Sequence, residues 1–287
     1  MKKAVVLACA FVLAALLFTS CQGFKKISFS TESLGEFLDA HITENTSVIG
    51  SYELSAPKSV PMYSISKRVL TDDEYAQILS VLDIKEDDPK VFIERKDNSL
   101  LVTIREPYAM KDYSVSDEET LRMAKEVFDK IPVISGEYEC LGIKSFFTIS
   151  DSEGDHTTSV GVSFRRLIDG VRVVGNDVVY LYFDNDGLSE IHLELFDYKR
   201  IDGAIDLTSI DSAYARVKSP DSFDLKEENE TIGVIDTLNV EKARLLMVNQ
   251  YSNGCTVLQP VYSFSGTATD VEGKTSSFTS VVIAFEY

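Results

Sequence analysis

The sequence contains only three histidines, His41, His156 and His192, and none stands at a metal-ligand spacing from another. It also lacks HExxH, GxSxG, a Gly-rich phosphate loop and G-x-G-x-x-G. Those gaps exclude zinc proteases of that class, nucleophile-elbow hydrolases and enzymes that use those nucleotide loops. Basic residues are scarce too: 28 Lys and Arg stand against 46 Asp and Glu, for a formal net charge of -18. With no Lys/Arg stripe to override that balance, the chain repels phosphate backbones, and nucleic acid is excluded as a partner. The same charge opposes lying flat on anionic lipid. The apolar run Ala4–Phe18 carries no charge, but at fifteen residues it falls short of the about 20 that span a bilayer.

What that run does fit is the h-region of a secretory signal. Lys2 and Lys3 supply the positive start, and Thr19 and Ser20 lead into Cys21. The segment resembles the lipobox of bacterial lipoproteins, with Phe18 where that family usually has Leu. It implies cleavage before Cys21, which becomes the lipid attachment residue. Acylated there, it buries enough CH₂ groups, at about 0.8 kcal/mol each, for stable membrane attachment. An ordinary cleavage site beside an incidental cysteine and an uncut anchor are the alternatives.

Four cysteines occur, of which Cys9 leaves with this leader and Cys21 takes the lipid. Cys140 and Cys255 remain, either joined in a disulfide, which an exported compartment permits, or kept as two buried, inert thiols. Neither has a CxxC partner.

After the leader, residues 21–58 read as a polar tether with a short helical pattern at "SLGEFLDAHI". Residues 59–112 follow as strand, helix and hairpin: "SVPMYSIS", then Thr71 and Glu74 as a capping box, then "VFIERKDNSLLVTIR" around a Lys-Asp-Asn-Ser turn. Residues 113–204 open with a second box, Ser116 and Glu119, before a helix stopped by Pro132. Strands follow, with Val160, Val162 and Phe164 alternating and a hairpin turn at Asp184-Asn185-Asp186-Gly187. Residues 205–287 repeat the scheme, a helix face of Ile210, Ala213, Tyr214 and Val217 ahead of a three-stranded meander in which Pro260 marks an edge or a bulge. The expected fold class is α+β: two or three small antiparallel sheets, each packed against a helix.

Candidate chemistry is thin. His192 alternates with Ile191 and Leu193, as a sheet-face residue does, and His156 falls in the polar stretch "DSEGDHTTS". "DNDGLSE" invites a calcium reading, but an EF-hand loop with its glycine at Gly187 would run from Tyr182 to Leu193, and neither end has the required oxygen. A tight turn explains it. Acids at 117–119 sit in a helix first turn, where the macrodipole favours them. No catalytic residue, metal ligand or cofactor site is expected.

The stretch "RRLIDGVRVVGNDVVYLYFDNDGLSEIHLEL" (165–195) resembles the strand pattern of PepSY-type domains. "VLQPVYSFSG" (257–266) is similar to a strand of their tandem versions, and "SVPMYSISKRVLTDDEYAQIL" to the opening of YycI/YycH-type extracytoplasmic regulators. The YycI type starts with a transmembrane helix, where this chain has the lipobox-like leader. The resemblance implies α+β modules that bind proteins outside the membrane. The expected function is therefore a non-enzymatic lipoprotein of the bacterial envelope, facing periplasm or exterior, that binds and modulates a protein partner such as a sensor kinase. The alternatives are an inhibitor or chaperone of a secreted peptidase and a small-ligand carrier.

Overall fold

The computed structural model describes residues 38, 41–50, 52, 54–104, 112–150, 154–175, 177–226, 233–252 and 255–285. The leader, Cys21 and much of the expected tether lie outside the described residues. No helix among the described residues is long and apolar enough to cross a membrane.

The fold is predominantly β, which corrects the α+β expectation. Strand accounts for 59% and helix for 13%, with fourteen strands and three helices among the described residues. The chain divides into a central unit, Ser66–Asp197, and a split unit formed from Met1–Ile65 and Tyr198–Tyr287. The expected boundary at 112/113 dissolves because strands on either side of it share one sheet.

In the central unit, α1 (Asp72–Val81), β3 (Phe92–Lys96), β4 (Ser99–Thr103), α2 (Asp117–Phe128), β5 (Glu137–Ser150), β6 (Asp155–Ile168), β7 (Val171–Val174), β8 (Val178–Asp184) and β9 (Gly187–Glu194) follow in turn. The antiparallel order is β5-β6-β8-β9-β4-β3, with β7 folded back on the end of β6. Period-two alternation turns Val162 and Phe164, Val179, Leu181 and Phe183, Ile191 and Leu193, and Leu100 and Val102 to one face. Ile78 and Leu79 of α1, Ala124 of α2, and Ile131 and Val133 close that face. Phe128 stacks on Phe164 at 4.2 Å. Each large side chain so buried contributes about 1.5–3 kcal/mol.

Both helices start where their caps dictate. Thr71 Oγ1 accepts from Glu74 N at 3.2 Å, and Glu74 Oε2 accepts from Thr71 N at 2.9 Å. The Thr71 amide and the Arg68 guanidinium hold the Glu74 carboxyl below the usual carboxylate range. Ser116 Oγ accepts from Glu119 N, but the Glu119 carboxylate turns to Arg122 rather than back to the cap.

The split unit holds β1 (Ile42–Gly50), the start of β2 (Ser59–Lys67), most of β10 (Phe196–Asp206), α3 (Ile210–Tyr214), β11 (Ser222–Lys226), β12 (Ile235–Ser252), β13 (Cys255–Asp270) and β14 (Thr275–Ile283). Its sheet runs β11-β14-β13-β12-β1, and the last pair is parallel. Residues 42–50, read as tether, are thus a strand of the sheet. Pro260 sits where β13 exchanges partners, β14 pairing as far as Val261 and β2 pairing at Val257 and Thr256, so no ladder amide is lost. One face packs Leu238, Val240, Tyr262, Phe264, Phe278 and Val282 under Ala213, Val217, Tyr52 and Tyr214. Only five residues of α3 are helical before turns lead to Pro220. Irregular chain therefore covers much of this sheet, and that is the physical reason a helix per sheet fails.

Candidate binding surface

Strand β5 pairs with β6 and with no other strand among the described residues. A strand edge of this kind presents main-chain donors and acceptors that a further strand can satisfy. Its first half is shielded. Register shifts fall between Cys140 and Ser145, Gly142 sits at φ +80°, and Lys144 is exposed. Arg172 fastens this half through Nε to Glu139 Oε2 at 2.8 Å and Nη2 to Oε1 at 2.5 Å.

The second half is different. Ser145, Phe146 and Phe147 pair in unbroken register with Gly161, Val160 and Ser159, and a further register shift falls only after them, between Phe147 and Thr148. Phe146 is 64% exposed and Phe147 39% exposed. Adjacent strand residues point to opposite faces, so the two rings flank the edge on either side. A solvent-exposed aromatic pair on an open strand edge is the combination that natural sheets ordinarily avoid.

Phe147 shares its face with the outer surface of the central sheet. There the pairing aligns Ser145, Gly161, Tyr182, Glu190, Thr103 and Phe92 in one row. Tyr182 lies over Gly161, where a Cβ would stand 2.7 Å from Cε1; only glycine lets the ring settle on the sheet. In the next row Tyr180 stacks against His192, with centroids 6.2 Å apart, and Arg165 Nη2 donates to the Tyr180 hydroxyl at 3.0 Å. At the far end of the first row Phe92 is 59% exposed on β3.

His192 is a sheet-face residue stacked on tyrosine. His156 lies on β6 rather than in a loop, and its Nδ1 is 3.1 Å from Asp112 Oδ1. The DNDG segment is the β8–β9 turn, with Asp184 Oδ1 accepting from Asp186 N at 2.8 Å. Among the described residues no group of three or more His, Cys, Asp or Glu is placed to hold a metal ion. Cys140 is a free thiol on β5, exposed rather than buried. The Cys255 side chain is outside the described residues, so its pairing with Cys140 stays an expectation, and Cys21 lies outside them as well.

The Phe146-Phe147 pair escaped sequence reasoning. Its signal is present in "SFFTIS": consecutive aromatics on a strand cannot both face one core, so at least one must find another use. No protein-family model matches the chain, and no curated protein matches it.

Proposed function

We propose that this is a non-enzymatic lipoprotein of the bacterial envelope, anchored through acylated Cys21, that binds and modulates a protein partner. The open half of β5 carries the reading. An extended segment of the partner adds as a strand beside residues 145–150, its main chain pairing with the edge and its alternate side chains meeting Phe146 and Phe147. Strand addition draws affinity from main-chain hydrogen bonds and specificity from such side-chain contacts. The excess of 46 acidic over 28 basic residues favours a neutral or basic segment.

Site-specific photocrosslinking in cells tests it. A crosslinking residue at Phe146 should capture one defined protein, and the same residue at Val271, equally exposed at 67% on the β13–β14 turn, should not. Equal capture at both positions, or none at Phe146, overturns the proposal. In parallel, a fatty-acid probe should label the wild type and fail on Cys21→Ser.

A further inference from the structure

The open half of β5 is also complementary to itself. Pairing with β6 skips Thr158 between Phe147 and Thr148, so the extra residue belongs to β6, and β5 has no bulge of its own from Ser145 to Ser150. That stretch, Ser-Phe-Phe-Thr-Ile-Ser, carries no charge in a chain of net charge -18. Thr148 and Ser150 are exposed with Phe146 and Phe147, and Ile149 is half-buried.

Two copies of one strand that pair antiparallel are related by a two-fold axis normal to the sheet. Facing residues share a face, so the residue on the axis meets its own copy. With Phe147 on the axis, Phe147 meets Phe147, Phe146 meets Thr148 twice, and Ser145 meets Ile149 twice. Aromatic–aromatic and aromatic–β-branched pairs are among those that stabilise antiparallel sheets. An axis at Thr148 sets Phe146 against Ser150 instead, and an axis at Phe146 sets Phe147 against Ser145. Only the Phe147 axis gives both exposed rings a favoured partner.

The opposite edge is guarded. Strand β3 pairs only with β4 among the described residues, but Lys96 pairs with Glu94 on it at 2.5 Å, and Lys67 reaches Asp97 beside it at 3.7 Å. Charges of this kind blunt an edge. They disfavour stacking β5 of one chain on β3 of the next, which leaves a closed pair rather than a fibre.

We propose that, when the partner is absent, a second copy of this chain pairs antiparallel with β5 about a two-fold axis at Phe147. This rests on the open edge that also carries the partner reading, and the two occupants exclude each other. A contact confined to this short stretch falls well below the about 20–30 residues a side of a stable interface. The dimer is therefore weak, and dilute protein leaves the edge free for the partner.

Sedimentation of the full chain from micromolar to millimolar concentration tests this. Wild type should pass from monomer to dimer. Phe147→Lys and Phe147→Glu each set like charges face to face and should each weaken the dimer at least about tenfold. An equimolar mixture of the two should associate more tightly than either alone, which also shows that both variants fold. Raising salt should strengthen the wild-type dimer by screening the repulsion between two acidic chains. A wild type that stays monomeric throughout, a mixture no better than its components, or a dimer weakened by salt overturns the proposal. Those results leave partner capture at Phe146 untouched, whereas self-association without any captured partner sinks the partner reading alone.

Discussion

The two units solve one problem with opposite outer surfaces. Each turns the apolar side of a mainly antiparallel sheet inward, Leu181, Phe183 and Ile191 in the central unit, Tyr262, Phe264 and Phe278 in the split unit. Outward, the central sheet shows Tyr180, Tyr182, His192 and Phe147, whereas the split unit shows Ser263, Ser265, Thr279, Asp224, Lys242 and Arg244. The inner faces specify folding; the outer faces, free of that duty, differ in composition. An aromatic edge suits a polypeptide strand, whereas the split unit's outer face mixes hydroxyls with charges of both signs, Asp224 and Glu241 beside Lys242.

The sharpest way to break the comparison is to exchange inner and outer substitutions. Leu181→Ala and Phe264→Ala remove fully buried side chains and should each cost about 3–5 kcal/mol in denaturant unfolding. Ser265→Ala, on the outer face, should stay within about 0.5 kcal/mol of wild type. Similar losses for the two classes would contradict the division into faces.

With the crosslinking residue moved to Phe147, Phe146→Asp should abolish partner capture while leaving the unfolding midpoint within about 0.5 kcal/mol of wild type, because the ring is already solvated. A large loss of stability would reassign Phe146 to the fold. Smaller again is the cap of α1. Thr71→Ala removes the acceptor for Glu74 N and should cost about 1 kcal/mol, read from the same unfolding curves, with no effect on partner capture.

A pH effect is expected in the split unit. Asp270 Oδ2 accepts from Gly233 N at 3.0 Å, and Oδ1 accepts from Glu272 N at 2.9 Å and Lys274 N at 2.8 Å. The Gly233 amide foremost, then those of Lys274 and Glu272, lower its pKa below the usual value of 3.8. A carboxylate depressed in the folded state contributes full stability above its unfolded pKa and loses it as pH falls through the folded one. Wild type should therefore lose stability relative to Asp270→Asn on acidification below about pH 4. Parallel acid profiles for the two proteins would show that the turn does not use this charge.

Much of the element plan was legible in the sequence. Thr71-Glu74 and Ser116 gave the helix starts, and Asp184 to Gly187 gave a hairpin, because capping and turn chemistry act over a few residues. The parallel strand β1 was not, since residues 42–50 pair with β12 across nearly two hundred positions and alternate too weakly to reveal a partner. For the same reason the join of β4 to β9 was missed, and the fold class with it: local helical spacing at Ile210 to Val217 marks an inward face whether or not the chain stays helical. The outer faces were least legible. Asp224, Thr279, Ser265 and Lys242 are distant in sequence and meet only through register, while Phe146 becomes distinctive only once β5 is known to be an edge.

Strand addition at β5 is tested most directly by amide hydrogen exchange on the complex captured at Phe146. Amides of residues 145–150 that point away from β6 should exchange more slowly by at least about tenfold once the partner binds, with the row from Asp224 to Lys242 unchanged. Unaltered exchange along β5 together with protection elsewhere would contradict the account.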